Sequence, residues 1–181
     1  MRSFDYSDDA PWPEGADGDD FSLVLLNPNS LPDHSLAVSW RLSSQFGGSP
    51  GSSDECPDFV GDPNSDLDQD GIPALIEYFL GGSDGDSSNA AAAFQVGSVP
   101  LGGESYPTFG TTYKVGADQL EFSAYISTDL ENWSNLPADV VVHDQQFNGD
   151  GTVTIVWRSA TPVSGRDQQF FRLRVKEIAV P

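Results

Sequence analysis

Phe171-Arg172-Leu173-Arg174-Val175-Lys176 alternates apolar and basic side chains residue by residue, the period of a strand with one face buried and the other in water. Outward from it, the pattern predicts a strand over 169–178 and earlier ones over 94–96, 108–115, 119–127, 140–143 and 152–158. Turn-forming clusters separate them: Gly116-Ala117-Asp118, Asn148-Gly149-Asp150-Gly151 and Ser164-Gly165-Arg166-Asp167. Several short strands with regular turns predict a small antiparallel sandwich over residues 90–181.

Upstream the signals are weaker. Residues 21–26 and 37–42 each suit a strand, the first ending at the turn cluster Asn27-Pro28-Asn29-Ser30. Residues 1–20 are polar, acidic and rich in Pro and Gly, and predict a disordered or loosely held start. Ser, Gly, Pro and Asp dominate 43–63, which reads as a linker, and 82–92 reads as loop. One helix stands out. Ile72, Leu75, Ile76, Phe79 and Leu80 fall on one helical face, Pro73 suits the first turn, and Gly81-Gly82 supply the stop. The chain thus divides into a partial β segment (1–52), a loop-and-helix unit (53–89) and a C-terminal β module (90–181).

The net charge of -20 excludes nucleic acid and anionic membrane surfaces as partners, since phosphate binding needs clustered Lys and Arg. No apolar run approaches the roughly 18–20 residues of a membrane span. Between Arg41 and Lys114 there is no basic residue, while Asp54, Asp58, Asp62, Asp66, Asp68, Asp70, Glu77, Asp84 and Asp86 all fall there. Such a run repels itself unless it is well solvated or neutralised by cations.

Within it, Asp66-Leu67-Asp68-Gln69-Asp70-Gly71-Ile72-Pro73-Ala74-Leu75-Ile76-Glu77 follows the spacing of a calcium-binding EF-hand loop. That loop wants side-chain oxygens at positions 1, 3 and 5, Gly at 6, a backbone carbonyl at 7, a water-mediated ligand at 9 and a bidentate Glu at 12. Asp66, Asp68, Asp70, Gly71, Ile72, Ala74 and Glu77 occupy them. Calcium is the expected cofactor. Asp62 and Asn64 continue the every-second-residue pattern upstream as candidate ligands of a second ion, and Asp84-Gly85-Asp86 is a weaker acidic loop. No entering helix precedes Asp66, and Pro73 lacks the N–H that pairs two such loops, so an unpaired structural site is expected rather than an opening sensor.

Three stretches together resemble the end of a secreted bacterial multidomain surface protein. Gly18-Asp19-Asp20-Phe21-Ser22-Leu23-Val24-Leu25, with Ser39-Trp40-Arg41-Leu42 and Gly47-Gly48-Ser49-Pro50-Gly51, is similar to the closing part of a lamin-tail-like domain, an immunoglobulin-like sandwich. Residues 66–81 resemble dockerin-like or thrombospondin-type-3-like calcium loops. Ser127-Thr128-Asp129-Leu130-Glu131-Asn132-Trp133, Gly149-Asp150-Gly151-Thr152-Val153-Thr154 and the strand quoted first resemble a small C-terminal β module of such proteins. The resemblance implies a mainly β fold: an immunoglobulin-like antiparallel sandwich at the C-terminus, one calcium-loop helix and a partial N-terminal β segment. It also implies a secreted or cell-surface piece of a longer chain, in keeping with the absence of an apolar leader in residues 1–8.

Enzyme signatures fail on local chemistry. Gly47-Gly48-Ser49-Pro50-Gly51 places Pro50, which has no N–H, where an oxyanion donor is needed, and Ser83 follows a helix rather than a strand. His34, His143 and the lone Cys56 lack metal-type spacing. The expectation is a non-enzymatic extracellular module in which calcium stiffens an inter-domain junction, its partners being other domains of a longer chain. The alternative is an accessory module binding carbohydrate or matrix, such as extracellular polysaccharide, through Trp133, Tyr125 or Trp157.

Overall fold

The computed structural model describes residues 4–54, 56–88, 93–165 and 168–178. Of the turn expected at 164–167 and the loop expected at 82–92, residues 166–167 and 89–92 lie outside the described residues. The chain is mainly β. A short antiparallel hairpin pairs β1 (Leu23–Leu25) with β2 (Trp40–Leu42), Val24 lying opposite Arg41. Then come helix α1 (Ala74–Leu80) and six strands: β3 (Gln95–Leu101), β4 (Glu104–Lys114), β5 (Leu120–Ser127), β6 (Val140–Phe147), β7 (Thr152–Ser159) and β8 (Phe170–Glu177).

These six strands form two antiparallel sheets, ordered β3-β4-β7-β6 and β5-β8. Numbered from β3, the order is that of the first six strands of an immunoglobulin constant-type sandwich, with no seventh beside β8 among the described residues. The alternation in each strand explains the packing. Val153, Ile155, Trp157 and Ser159 of β7 are buried and their neighbours are not, while Leu173 of β8 turns inward and Arg172 and Arg174 outward. Phe109, Leu120, Ala124, Ile126, Ile155, Trp157 and Leu173 meet in one core between the sheets.

Three strands, β3, β4 and β6, run beyond the bounds the sequence pattern indicates. β3 and β4 continue into a ribbon turned at Gly102-Gly103, through a stretch rich in Gly, Ser and Pro. Proline is tolerated there because β3 is an edge strand and β7 pairs with β4 only from Thr108 onward, so neither Pro100 nor Pro107 sits on a fully paired strand. β6 passes through polar Asp144-Gln145-Gln146, and the register shift between Val142 and Asp144 makes His143 a bulge.

α1 packs against β4 and β8, and its Leu75 and Phe79 enter the sandwich core. Phe79 is 1% exposed, stacked on Tyr113 at 4.9 Å and packed on Phe122 at 4.8 Å. Burying such a ring is worth about 1.5–3 kcal/mol, so the short helix is held mainly by its tertiary seat. Gly81, in the left-handed conformation, ends it, and the Gly82 N–H reaches back to the Glu77 carbonyl at 2.8 Å.

The N-terminal part is better fastened than its composition predicts. Phe4 stacks on both Trp12 and Trp40, and the Trp40 indole N–H donates to the His34 carbonyl at 2.9 Å. Arg41 pairs with Asp54 at 2.7 Å and with Asp118 of the β4–β5 turn at 2.8 Å. The expected linker is thereby clipped to both the hairpin and the sandwich. It also passes so close to Gly116 that a Cβ there would meet the Asp54 carbonyl at 2.7 Å. Among the described residues, no helix is long and apolar enough to cross a membrane.

Candidate metal centre

The loop before α1 folds on its own aspartates. Gln69 and Gly71 take positive φ values of 61° and 90°, which curl the chain; glycine meets that demand at its position without the strain a side chain brings. The side chains fix the curl. Asp68 Oδ1 accepts the Asp70 N–H at 3.1 Å, Asp70 Oδ1 accepts the Ile72 N–H at 2.7 Å, and Asp66 Oδ2 accepts the Gly71 N–H at 3.2 Å. The Ala74 and Leu75 N–H groups, bonded to the Ser65 and Pro63 carbonyls, close the loop onto the helix start.

Each aspartate therefore commits one oxygen to the backbone and keeps one back. Asp66 Oδ1, Asp68 Oδ2 and Asp70 Oδ2 are inaccessible to solvent and have no hydrogen-bond partner. The three carboxylates offer ligand atoms within 4.8 Å of one another. One turn into α1, Glu77 is 1% exposed, and both of its carboxylate oxygens are likewise without a partner. Leu75 and Phe79, on either side of it in sequence, are held in the core, and that seat keeps Glu77 out of water.

Three sequestered oxygens thus belong to the aspartate cluster and two more to Glu77, which lies outside that 4.8 Å group but near enough to feel its charge; none has a donor among the described residues. Taking a carboxylate out of water costs several kcal/mol unless a counter-charge compensates. Glu77 shows the strain: burial first, then the negative charges of Asp68, Asp70, Asp84 and Asp66, raise its carboxyl above the ordinary Glu value. These oxygens are the ones free to hold a metal ion.

Of the other residues singled out in the sequence, Ile72 is buried within the loop, its N–H held by Asp70 Oδ1. Asp62 Oδ1 accepts the Asn64 N–H at 2.9 Å in a local turn, and Asp62 does not join the aspartate cluster. Asp86 likewise holds the Ser88 N–H. Asp84 does not open a second loop; its Oδ1 accepts the Leu67 N–H at 2.8 Å, inside the first. That contact spans 17 residues and has no local sequence signal. Trp157 is buried in the core, and the Arg172 guanidinium lies 4.2 Å from the centre of the half-buried Trp133 ring. Ser49 is hydrogen-bonded to Asp54, Cys56 Sγ donates to the Val115 carbonyl at 3.2 Å, and His143 is exposed at its bulge. A cleft of about 1310 Å³ lies between hairpin and sandwich, lined by Trp40, Phe46, Phe79, Tyr113, Phe122 and Phe147; its Arg41 and Asp118 are bound to each other.

Comparison with known proteins adds no family: no family model, curated protein or solved structure matches the chain.

Proposed function

We propose that residues 66–77 bind one calcium ion and that the protein works as a non-enzymatic, calcium-stiffened module of the cell surface or extracellular space. The observation that carries this reading is the set of five buried, unpartnered oxygens: one from each of Asp66, Asp68 and Asp70, and two from Glu77. An EF-hand loop uses the same set, monodentate at positions 1, 3 and 5 and bidentate at 12. The Ile72 carbonyl, at position 7, and a water beside Ala74, whose methyl group offers no ligand, would complete the shell. An all-oxygen donor set favours a hard cation, and a bidentate carboxylate suits calcium better than the smaller, octahedral magnesium.

Bound calcium would neutralise the loop and hold Glu77 against it. Because α1 carries Glu77 on one side and core residues Leu75 and Phe79 on the other, that binding energy becomes stability of the whole sandwich. In chain order the loop lies between the clipped N-terminal hairpin and the C-terminal sheets, so calcium would stiffen their junction. An affinity on the order of 10⁻⁴–10⁻³ M fits an extracellular setting.

Calorimetric calcium titration and thermal melting of the intact chain test this. At a hundredfold excess over Kd, calcium should add about 2.7 kcal/mol, raising Tm by roughly 5–10 °C. Asp68→Ala should lose most of that shift. No heat of binding and no change in Tm with calcium would sink the reading.

A further inference from the structure

The segment that leaves α1 turns straight back to the loop. Gly81 reverses the chain, Gly82 bonds the Glu77 carbonyl, and two residues later Asp84 reaches Leu67. Leu67 stands between Asp66 and Asp68, so the hydrogen bond from its N–H to Asp84 Oδ1, at 2.8 Å, holds the backbone from which two of the aspartates project. Asp84 is half-buried, and its negative charge acts on the Glu77 carboxyl ahead of that of Asp66, which lies within the loop itself. The fully sequestered Glu77 side chain, with both oxygens unpartnered, marks the place those charges converge on.

We infer that Asp84 is a fifth acidic residue of the cation site, a positioning residue that holds the Leu67 backbone and adds its charge to the field of the ion. This rests on the reading of residues 66–77 as a cation site. Its consequence is that the ion fastens three pieces of chain at once: the loop, α1 and the exit segment after Gly82. A purely local role, as Asp86 has with Ser88, would leave the cation unaffected.

Charge and hydrogen bond are separable. Asp84→Asn keeps an oxygen for the Leu67 N–H and removes the charge; Asp84→Ala removes both. The Asn variant should bind calcium about tenfold more weakly than wild type by titration calorimetry, and the Ala variant more weakly still. Coulomb energy scales with the charge of the ion, so the Asn variant's loss for lanthanum should be larger, roughly thirtyfold. A latch that acts only through the backbone would instead leave the Asn variant unchanged or weaken both ions equally. Asp86→Ala, as control, should bind like wild type. Circular dichroism of each variant confirms that the sandwich is folded. If wild type binds calcium and both Asp84 variants bind it equally well, the assignment of Asp84 is overturned while the loop reading stands. If wild type binds neither ion, both fall together.

Discussion

The turn after β5 and the loop before α1 are both built on aspartate, and they use it in opposite ways. In the turn, Asp129 sits at the surface and accepts hydrogen bonds from the Asn132 side chain, the Asn132 and Glu131 backbones and the Ser127 hydroxyl. These donors, led by the Asn132 side chain, hold its carboxyl well below the usual carboxylate range. In the loop, each aspartate spends half its capacity on the backbone and keeps an oxygen aside, out of water, and the nearby Glu77 is unpaired as well. A self-satisfied carboxylate needs no cation; a cluster deprived of both water and donors does. The difference is one of tertiary packing. Asp129 stays exposed in its turn, whereas the seat of α1 in the core closes off Glu77.

The strongest way to break that contrast is to remove the seat. Phe79→Ala should cost about 3–5 kcal/mol in chemical denaturation, as large-to-small core changes do, and should weaken calcium binding too by freeing α1. Full stability loss with unchanged calcium affinity would separate the helix from the site. Glu77→Gln should lower calcium affinity by about a hundredfold, some 2.7 kcal/mol, since it neutralises the bidentate ligand. In calcium-free buffer the same variant should be more stable than wild type by about 1–3 kcal/mol, because a buried, repelled charge becomes neutral. Melting both proteins with chelator and with calcium checks the reversal of sign; a Gln variant less stable than wild type in both buffers would contradict it.

The pH response should also separate the two regions. Glu77 binds its proton more tightly in the calcium-free folded chain than the ordinary value of 4.5, so the folded state holds the extra proton. Its contribution therefore favours folding at low pH and is lost as pH rises from about that value through the raised one. Asp129 has the opposite sign: its contribution is present above its ordinary value of 3.8 and is lost as pH falls below it. Melting curves between pH 4 and 7 should thus show the calcium-free wild type losing stability relative to Glu77→Gln as pH rises. Parallel curves would remove Glu77 as the strained group. The smallest effect is a null one: Asp129→Ala should leave the calcium isotherm unchanged, and any weakening would show that the turn is not independent of the loop.

Much of the fold was legible locally. Period-two alternation in β5, β7 and β8 and the helical spacing from Ile72 to Leu80 placed those elements within a residue or two, because side-chain direction repeats with backbone geometry alone. The spacing of Asp66, Asp68, Asp70, Gly71 and Glu77 was legible for the same reason. The ribbon from Gly97 to Pro107 was not, since its residues avoid strands until an edge position makes them harmless. Nor was the fastening of Phe4 and Trp12, whose polar, Pro-rich surroundings resemble unfolded sequence, or that of Arg41, whose partners lie 13 and 77 residues along the chain.

By itself, then, the sequence determined which short segments would extend or coil, and which carboxylates could face a common point. Tertiary structure alone decided that β4 lies between β3 and β7, that Arg41 joins Asp54 to Asp118, that Glu77 is sealed from water and that Asp84 returns to Leu67. The physical reason is range. Alternation and ligand spacing are properties of a few consecutive residues, whereas burial and the partner of a distant amide depend on which surfaces the whole chain brings together.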